Sequence, residues 1–189
     1  MDVQGDVSEH VKAVSAAADS IGLKVAVSKV RMPGKIRGLS ALIIPGGEST
    51  TVGRLISAYG LEEAVLDVAS DIPVFGTCAG MVLMAKEGGN MKAGQRLLGL
   101  MDARVIRNAY GRQRESFEAE LDIKVLGGGG FPGVFIRAPA FDSIGGGCES
   151  LCEYDGRVVL ARQGNLLASS FHPELTGDTR LHEYFLRLV

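Results

Sequence analysis

No apolar stretch in this chain approaches the roughly 20 residues that a bilayer-spanning helix needs, and no leader-like pairing of basic and apolar regions opens it. Dense basic runs are missing too: 20 Lys and Arg stand against 22 Asp and Glu, for a net charge of −2. Neither nucleic acid nor a membrane surface is therefore expected as the main partner. Cysteine is scarce, limited to Cys78, Cys148 and Cys152. An odd, small set of thiols points to a reducing, cytoplasmic setting rather than to a disulfide framework. Cys148 and Cys152 lack a second Cys/His pair at zinc-site spacing, so no metal is expected there. No internal repeat or linker interrupts residues 1–189, which are expected to fold as a single domain.

What is present is a globular composition, 46% hydrophobic and 22% charged. Met1-Asp2-Val3 is barely a strand before Gln4-Gly5-Asp6. An Asp6-x-x-Glu9 capping pattern then precedes Val7, Val11, Val14 and Ile21 at helical spacing, up to Gly22. Leu23 to Val30 alternates as a strand, and Ala41 to Ile44 reads as a second, buried one. Helical segments over 50–59 and 61–69 lead to an apolar strand at Ile72–Phe75. Strands alternating with helices, and apolar rather than half-polar, predict an α/β fold on a parallel sheet covered on both faces. The second half adds strands: Leu97–Ile106, Ser116–Val125, Val134–Arg137, Leu151–Tyr154, Val158–Arg162 and Leu166–Phe171. Asp155-Gly156 signals a hairpin, and Thr179 to Val189 closes the chain as an amphipathic helix.

The stretch around which these parts are arranged is Pro73 to Met81. Its apolar strand runs into Gly76-Thr77-Cys78-Ala79-Gly80 and then an Ala-rich helix expected over 79–86. Strand, Gly-x-Cys-x-Gly turn and helix describe a nucleophile elbow with sulfur as the nucleophile. Glycines are needed because side chains there would strike strand or helix. The helix N-terminus favours thiolate over thiol. The competing reading is a buried structural cysteine.

Near the other end, Phe171-His172-Pro173-Glu174 follows a strand directly. Pro173 restricts His172 to extended backbone. In extended chain His172 and Glu174 point to one side, so the carboxylate can accept from one imidazole nitrogen while the other faces the thiol. Cys78, His172 and Glu174 thus fit the roles of nucleophile, acid–base and orienter. Alone, His-Pro-Glu reads better as a surface turn than as a catalytic element; together with the elbow it reads as catalytic.

The elbow with His172-Pro173-Glu174 resembles the class I, or triad, glutamine amidotransferases, which hydrolyse glutamine at a cysteine and pass ammonia to a synthase. Many of them carry glutamine where this chain has Val82. That departure, with Gln4-Gly5-Asp6, Pro45-Gly46-Gly47-Glu48-Ser49-Thr50-Thr51, Arg107-Asn108, Gly111-Arg112-Gln113, Ser116-Phe117-Glu118, Phe135 to Pro139 and Ser170 to Thr176, is similar to one branch: glutaminase subunits of pyridoxal 5'-phosphate synthase. These blocks cover nearly the whole chain in the branch's order.

The resemblance implies a flavodoxin-like fold, with a mixed, mostly parallel sheet, helices on both faces and added antiparallel strands. It implies a Cys78-His172-Glu174 triad, with Gly47, Glu48, Ser49, Arg107, Ile136 and Arg137 holding glutamine. Charge agrees: an α-carboxylate wants a cation and an α-ammonium an acceptor such as Glu48. The oxyanion needs two fixed N–H donors, for which the backbones of Gly47 and Ala79 are candidates. Gln4 and Arg112 fall where the branch meets its synthase. That partner would combine ammonia with ribose 5-phosphate and glyceraldehyde 3-phosphate, and the subunit itself needs no cofactor. Members usually begin with a full strand before Gln-Gly, of which only Met1–Val3 stands here. Rival readings are an amidotransferase serving another synthase, a stand-alone γ-glutamyl hydrolase, or a silent regulatory subunit.

Overall fold

The computed structural model describes residues 1–111 and 115–189. Arg112 and Gln113, expected at a partner surface, lie outside the described residues. The main sheet has five strands in the order β1 (Leu42–Ile44), β2 (Val74–Thr77), β10 (Leu166–Ser169), β9 (Arg157–Gln163), β8 (Glu149–Tyr154). β1 and β10 both run parallel to β2, whereas β9 and β8 are antiparallel additions. Two smaller groups complete the β structure. β3 (Ala85–Gly89), β4 (Met101–Ile106) and β7 (Ala140–Ile144) form one, and β5 (Ser116–Leu121) with β6 (Phe131–Ile136) the other.

The period-two alternation of strands sorts the core into two layers. Leu42, Ile44, Val74 and Ala168 face the helices α3 (Ser49–Ala58), α4 (Leu61–Val68) and α5 (Ala79–Met84), packing with Val52, Leu61, Val65 and Met81. Phe75 and Leu167 face the other way, onto Leu181 and Phe185 of α6 (Arg180–Leu186). α1 (Val7–Ser20) joins this second layer, with Val14, Ala17 and Ala18 against Leu186. Helices therefore cover both faces, as expected, and a short α2 (Pro33–Ile36) caps the loop before β1.

Four local expectations are corrected. Leu23–Val30 forms no strand, and Leu23, Val25 and Val27 are 41%, 39% and 39% exposed. A strand needs a ladder, and neither Met1–Val3 nor β1 forms one with this segment. The Met1 amino group donates to Ile43 O, and Asp2 N to Val30 O, so these two residues bridge one end of the gap. Beyond them a cavity of about 530 Å³ separates the 23–30 segment from β1. Secondly, the elbow helix, expected to reach residue 86, stops at Met84, and the chain passes straight into β3. Thirdly, β7 was unforeseen. Fourthly, the Asp6 carboxylate makes no capping bond to α1 and instead approaches His172. The Asp155-Gly156 hairpin is present, with φ of 52° and 70° as a primed turn requires.

Candidate active site

β2 and β10 lie side by side, parallel, with Thr77 in register with Ser169. Their carboxyl ends therefore share one sheet edge, where open α/β sheets place ligands. Cys78 follows Thr77, and its N–H donates to Ser169 O at 2.8 Å. Three residues past Ser169, His172 is fixed by its N–H to Val134 O of β6, also 2.8 Å.

Cys78 sits at φ 48°, ψ −100°, a conformation that a non-glycine residue adopts only when its surroundings impose it. The flanking glycines do the imposing. A Cβ on Gly76 would fall 2.6 Å from the Gly80 carbonyl carbon, and a Cβ on Gly80 would fall 2.0 Å from Ile44 O. The turn closes only because both are bare. Sγ then lies over the strand ends, 4.0 Å from Ile136 O and near enough to the His172 ring to raise its pKa.

The other ring nitrogen, Nδ1, is 2.7 Å from Glu174 Oε1. The expected contact is there, but its backbone differs from the one predicted. Pro173–Leu175 is a 3₁₀ turn rather than extended chain, since the fixed φ of Pro173 suits a first helical position. Burial pulls the His172 pKa down. Hydrogen bonds to Cys78 and Glu174 and the negative charge of both override it, carrying the value up to about 10. The arrangement favours the imidazolium form of His172. Burial pushes the other two thiols up, Cys152 to about 11 and Cys148 in the same direction.

Gly47, at φ 128°, ends the loop after β1, and as the first residue of α5 Ala79 has no intrahelical acceptor for its N–H. Gly46 packs directly on the triad: a Cβ there would meet His172 Cε1 at 2.5 Å. Gln4, exposed, covers this loop, its Oε1 accepting from Glu48 N at 3.2 Å.

Glu48 has a duty the sequence reading did not assign. It caps α3, accepting from Thr51 N and Oγ1 at 2.9 Å and from Thr50 N at 3.3 Å. Partial burial would raise its pKa, but these bonds hold it down at about 2. Arg107 Nη2 reaches the same carboxylate at 3.1 Å, and Lys92 Nζ at 3.3 Å. Asn90 brackets the Arg107 backbone from both sides. Ser49 Oγ accepts from Gln95 Nε2 at 2.9 Å. Arg137 has φ 42°, next to the Ile136 carbonyl that overlies the thiol.

Sequence reading missed the other two histidines. His10 and His182 are buried behind Glu174, with His10 Nε2 3.5 Å from Oε1 and 3.1 Å from Thr77 Oγ1. His10 Nδ1 is 3.4 Å from His182 Nε2. The available signal was positional. His10 shares a helical stripe with Val7, Val11 and Val14, and His182 lies among Leu181, Phe185 and Leu186. Among the described residues, Asp6, His172 and Glu174 form a set of close potential metal ligands, but two of the three already bond each other.

An elbow cysteine on a parallel strand, joined to a histidine and a buried glutamate at the neighbouring strand's end, defines a cysteine-dependent amidohydrolase of the triad type. Residues 1–189 match the SNO glutamine amidotransferase family, and the chain belongs to that family. It is 49% identical over 190 residues to the pyridoxal 5'-phosphate synthase subunit PdxT of Methanosarcina mazei, covering 99% of this chain and 95% of the relative. The subunit of the same name from Pelotomaculum thermopropionicum is 51% identical over 186 residues, covering 97% and 90%. Among solved structures, a glutamine amidotransferase superposes with a TM-score of 0.87 at 48% identity, over 98% of this chain and 95% of that one. Another, from Thermotoga maritima, shares the fold at 16% identity, TM-score 0.52, over 92% and 75% of the two chains.

Proposed function

We propose that this chain, folded as a single glutaminase domain over 1–189, hydrolyses L-glutamine to glutamate and ammonia through Cys78, His172 and Glu174. It works as the ammonia-supplying subunit of a pyridoxal 5'-phosphate synthase. The observation that carries the chemistry is the continuous relay from the strained Cys78 through His172 to the buried Glu174. Relatives named as synthase subunits, matching nearly end to end, support the assignment of the partner.

Cys78 Sγ attacks the side-chain amide carbon, and the oxyanion is met by the N–H groups of Gly47 and Ala79. The proton held on His172 goes to the leaving nitrogen, which departs as ammonia and leaves a thioester. His172 then takes a proton from water, which adds to the thioester, and glutamate leaves as the thiol is restored. Glu174 holds Nδ1–H, so the catalytic nitrogen faces sulfur throughout. Arg107 or Arg137 takes the substrate's α-carboxylate, and Gly47, Glu48, Ser49 and Ile136 complete the pocket. Ammonia passes to the synthase by a sheltered path, because water near neutral pH would convert it to non-nucleophilic ammonium. No helix among the described residues is long and apolar enough to cross a membrane. The small, odd set of thiols supports a cytoplasmic setting for the complex.

The test is glutamine hydrolysis by the subunit with and without the synthase, alongside pull-down of that synthase. Activity with an unrelated synthase only, or none in any complex, would overturn the reading.

A further inference from the structure

Two of the chain's three histidines, His10 and His172, reach one buried carboxylate, and the third, His182, stands behind His10. The Glu174 side chain is fully buried, and its Oε1 lies between His172 Nδ1 at 2.7 Å and His10 Nε2 at 3.5 Å. The same His10 nitrogen is 3.1 Å from Thr77 Oγ1, the side chain immediately before the nucleophile. His10 thus stands where the carboxylate that orients the base and the strand that carries the thiol can both be reached from α1.

The tautomer follows from counting donors and acceptors. Burial, then the nearby positive charges of His182, the Met1 amino group and His172, hold the His10 pKa well below its ordinary value. Burial alone lowers His182 to about 4. Both rings are neutral near pH 7, so each carries one N–H. If the His10 proton were on Nδ1, a bare Nε2 lone pair would face the carboxylate. The His182 proton would then be forced onto Nδ1, which has no partner among the described residues. With the His10 proton on Nε2, it points at Thr77 and Glu174, and Nδ1 accepts from His182 Nε2–H. Within the histidine pair this leaves over only an unprotonated His182 nitrogen, a cheaper loss than a buried unpaired donor, while Glu174 Oε2 lacks a partner among the described residues with either tautomer. Asp6, the residue just before α1, adds a second carboxylate, its Oδ2 3.6 Å from His172 Nδ1.

We propose that His10 is a positioning residue for glutamine hydrolysis: as the Nε2–H tautomer, seated by His182, it holds Glu174 on His172 and ties that carboxylate to Thr77. The inference rests on the glutaminase reading. Without the His10 donor, Glu174 is free to turn from Nδ1, and His172 loses support for its imidazolium form. Substrate contacts are untouched, because His10 reaches none of the residues placed around glutamine.

The test compares His10→Leu, which keeps bulk without a donor, with His10→Gln, which returns an N–H close to the Nε2 position. Both are measured with saturating synthase. His10→Leu is expected to lose about tenfold or more in kcat with KM unchanged, and the alkaline limb of its pH–rate profile should move down. His10→Gln should recover most of both. Wild-type kcat and pH profile in His10→Leu would overturn the proposal. So would a Gln variant no better than Leu with matching losses of melting temperature, which would make His10 a packing residue. Because His10→Leu can fail to fold, ¹⁵N-histidine NMR of the unmodified subunit reads the tautomer directly: Nε2–H supports the proposal and Nδ1–H refutes it. Absence of glutaminase activity in the unmodified complex would instead sink the functional reading, and the NMR result would stand apart from it.

Discussion

Gly80 is in backbone contact with Ile44: a Cβ on Gly80 would lie only 2.0 Å from the Ile44 carbonyl oxygen. The elbow and the strand-end loop are thereby locked together, since Ile44 leads directly into Pro45-Gly46-Gly47. Gly80→Ala has no flexible side chain to displace, so either α5 or β1 must move. Expected are a fall in stability on the order of 2 kcal/mol or more, and loss of glutamine hydrolysis even where the protein still folds. A melting curve and an assay on the same preparation check both.

Cys78 should be the only thiol that matters for activity. Cys78→Ala or Cys78→Ser is expected to abolish hydrolysis. Cys148, which donates to Gln163 Oε1 at 3.0 Å, and the buried Cys152 should each tolerate alanine with activity nearly intact. Mass spectrometry after a glutamine-derived electrophile should find the label on Cys78 alone. Substantial turnover by Cys78→Ala would end the proposed mechanism.

Which parts of this were readable beforehand follows from how local the signals are. β1, β2 and β10 are apolar on both faces, so their runs stood out. The glycines around Cys78 and the proline after His172 announced a turn and a strand end. β3 was not announced: Lys86 and Glu87 are exposed, and only pairing with β4 makes the segment a strand. Leu23–Val30 shows the converse, since a strand-like pattern forms no ladder when the adjoining chain does not supply one. His10 and His182 were invisible for a third reason. Each sits in a helix that looks complete by itself, and only the packing of α1 on α6 and the 3₁₀ turn brings His182 to His10 and His10 to Glu174.

Those buried histidines also set a pH dependence. A base whose pKa is lower in the folded state binds fewer protons there than when unfolded. Stability therefore falls as pH drops through the interval between the two values. For His182 that interval runs from 6.5 to about 4, and His10 shifts in the same direction. Unfolding free energies from urea melts should drop steadily over this window, by up to about 3 kcal/mol for His182 alone. His182→Gln should flatten the slope, and an unchanged slope would show that other groups dominate.

Glu48 and Arg107 should not behave independently. Arg107→Ala or Arg137→Ala is expected to raise KM for glutamine markedly, according to which cation takes the α-carboxylate. Glu48→Ala removes the α3 cap, worth about 1 kcal/mol. It also releases Arg107 from its 3.1 Å contact, so it should lower stability and raise KM together. If both arginine variants kept normal glutamine affinity, the binding assignment would fail.

The free subunit should be a poor glutaminase that its synthase switches on. The peptide between Gly46 and Gly47 is bounded by two glycines, and Gly47 already stands at φ 128°, where other residues are strained. Turning that peptide away would remove the Gly47 N–H from the oxyanion, a loss typically worth about 10²–10³ in rate. The structure shows what could hold it. Gln4 lies exposed above the loop, with Oε1 accepting from Glu48 N at 3.2 Å and close to the space a Gly47 side chain would need. A partner docking on Gln4 would press on the residue that touches this peptide, and ammonia would be made only when a receiver is present. Glutaminase rates should accordingly rise at least tenfold with saturating synthase, and Gln4→Ala should lose most of that rise while leaving the unstimulated rate near its original value. Equal rates with and without the partner would mean that the loop is already set and that no such coupling exists.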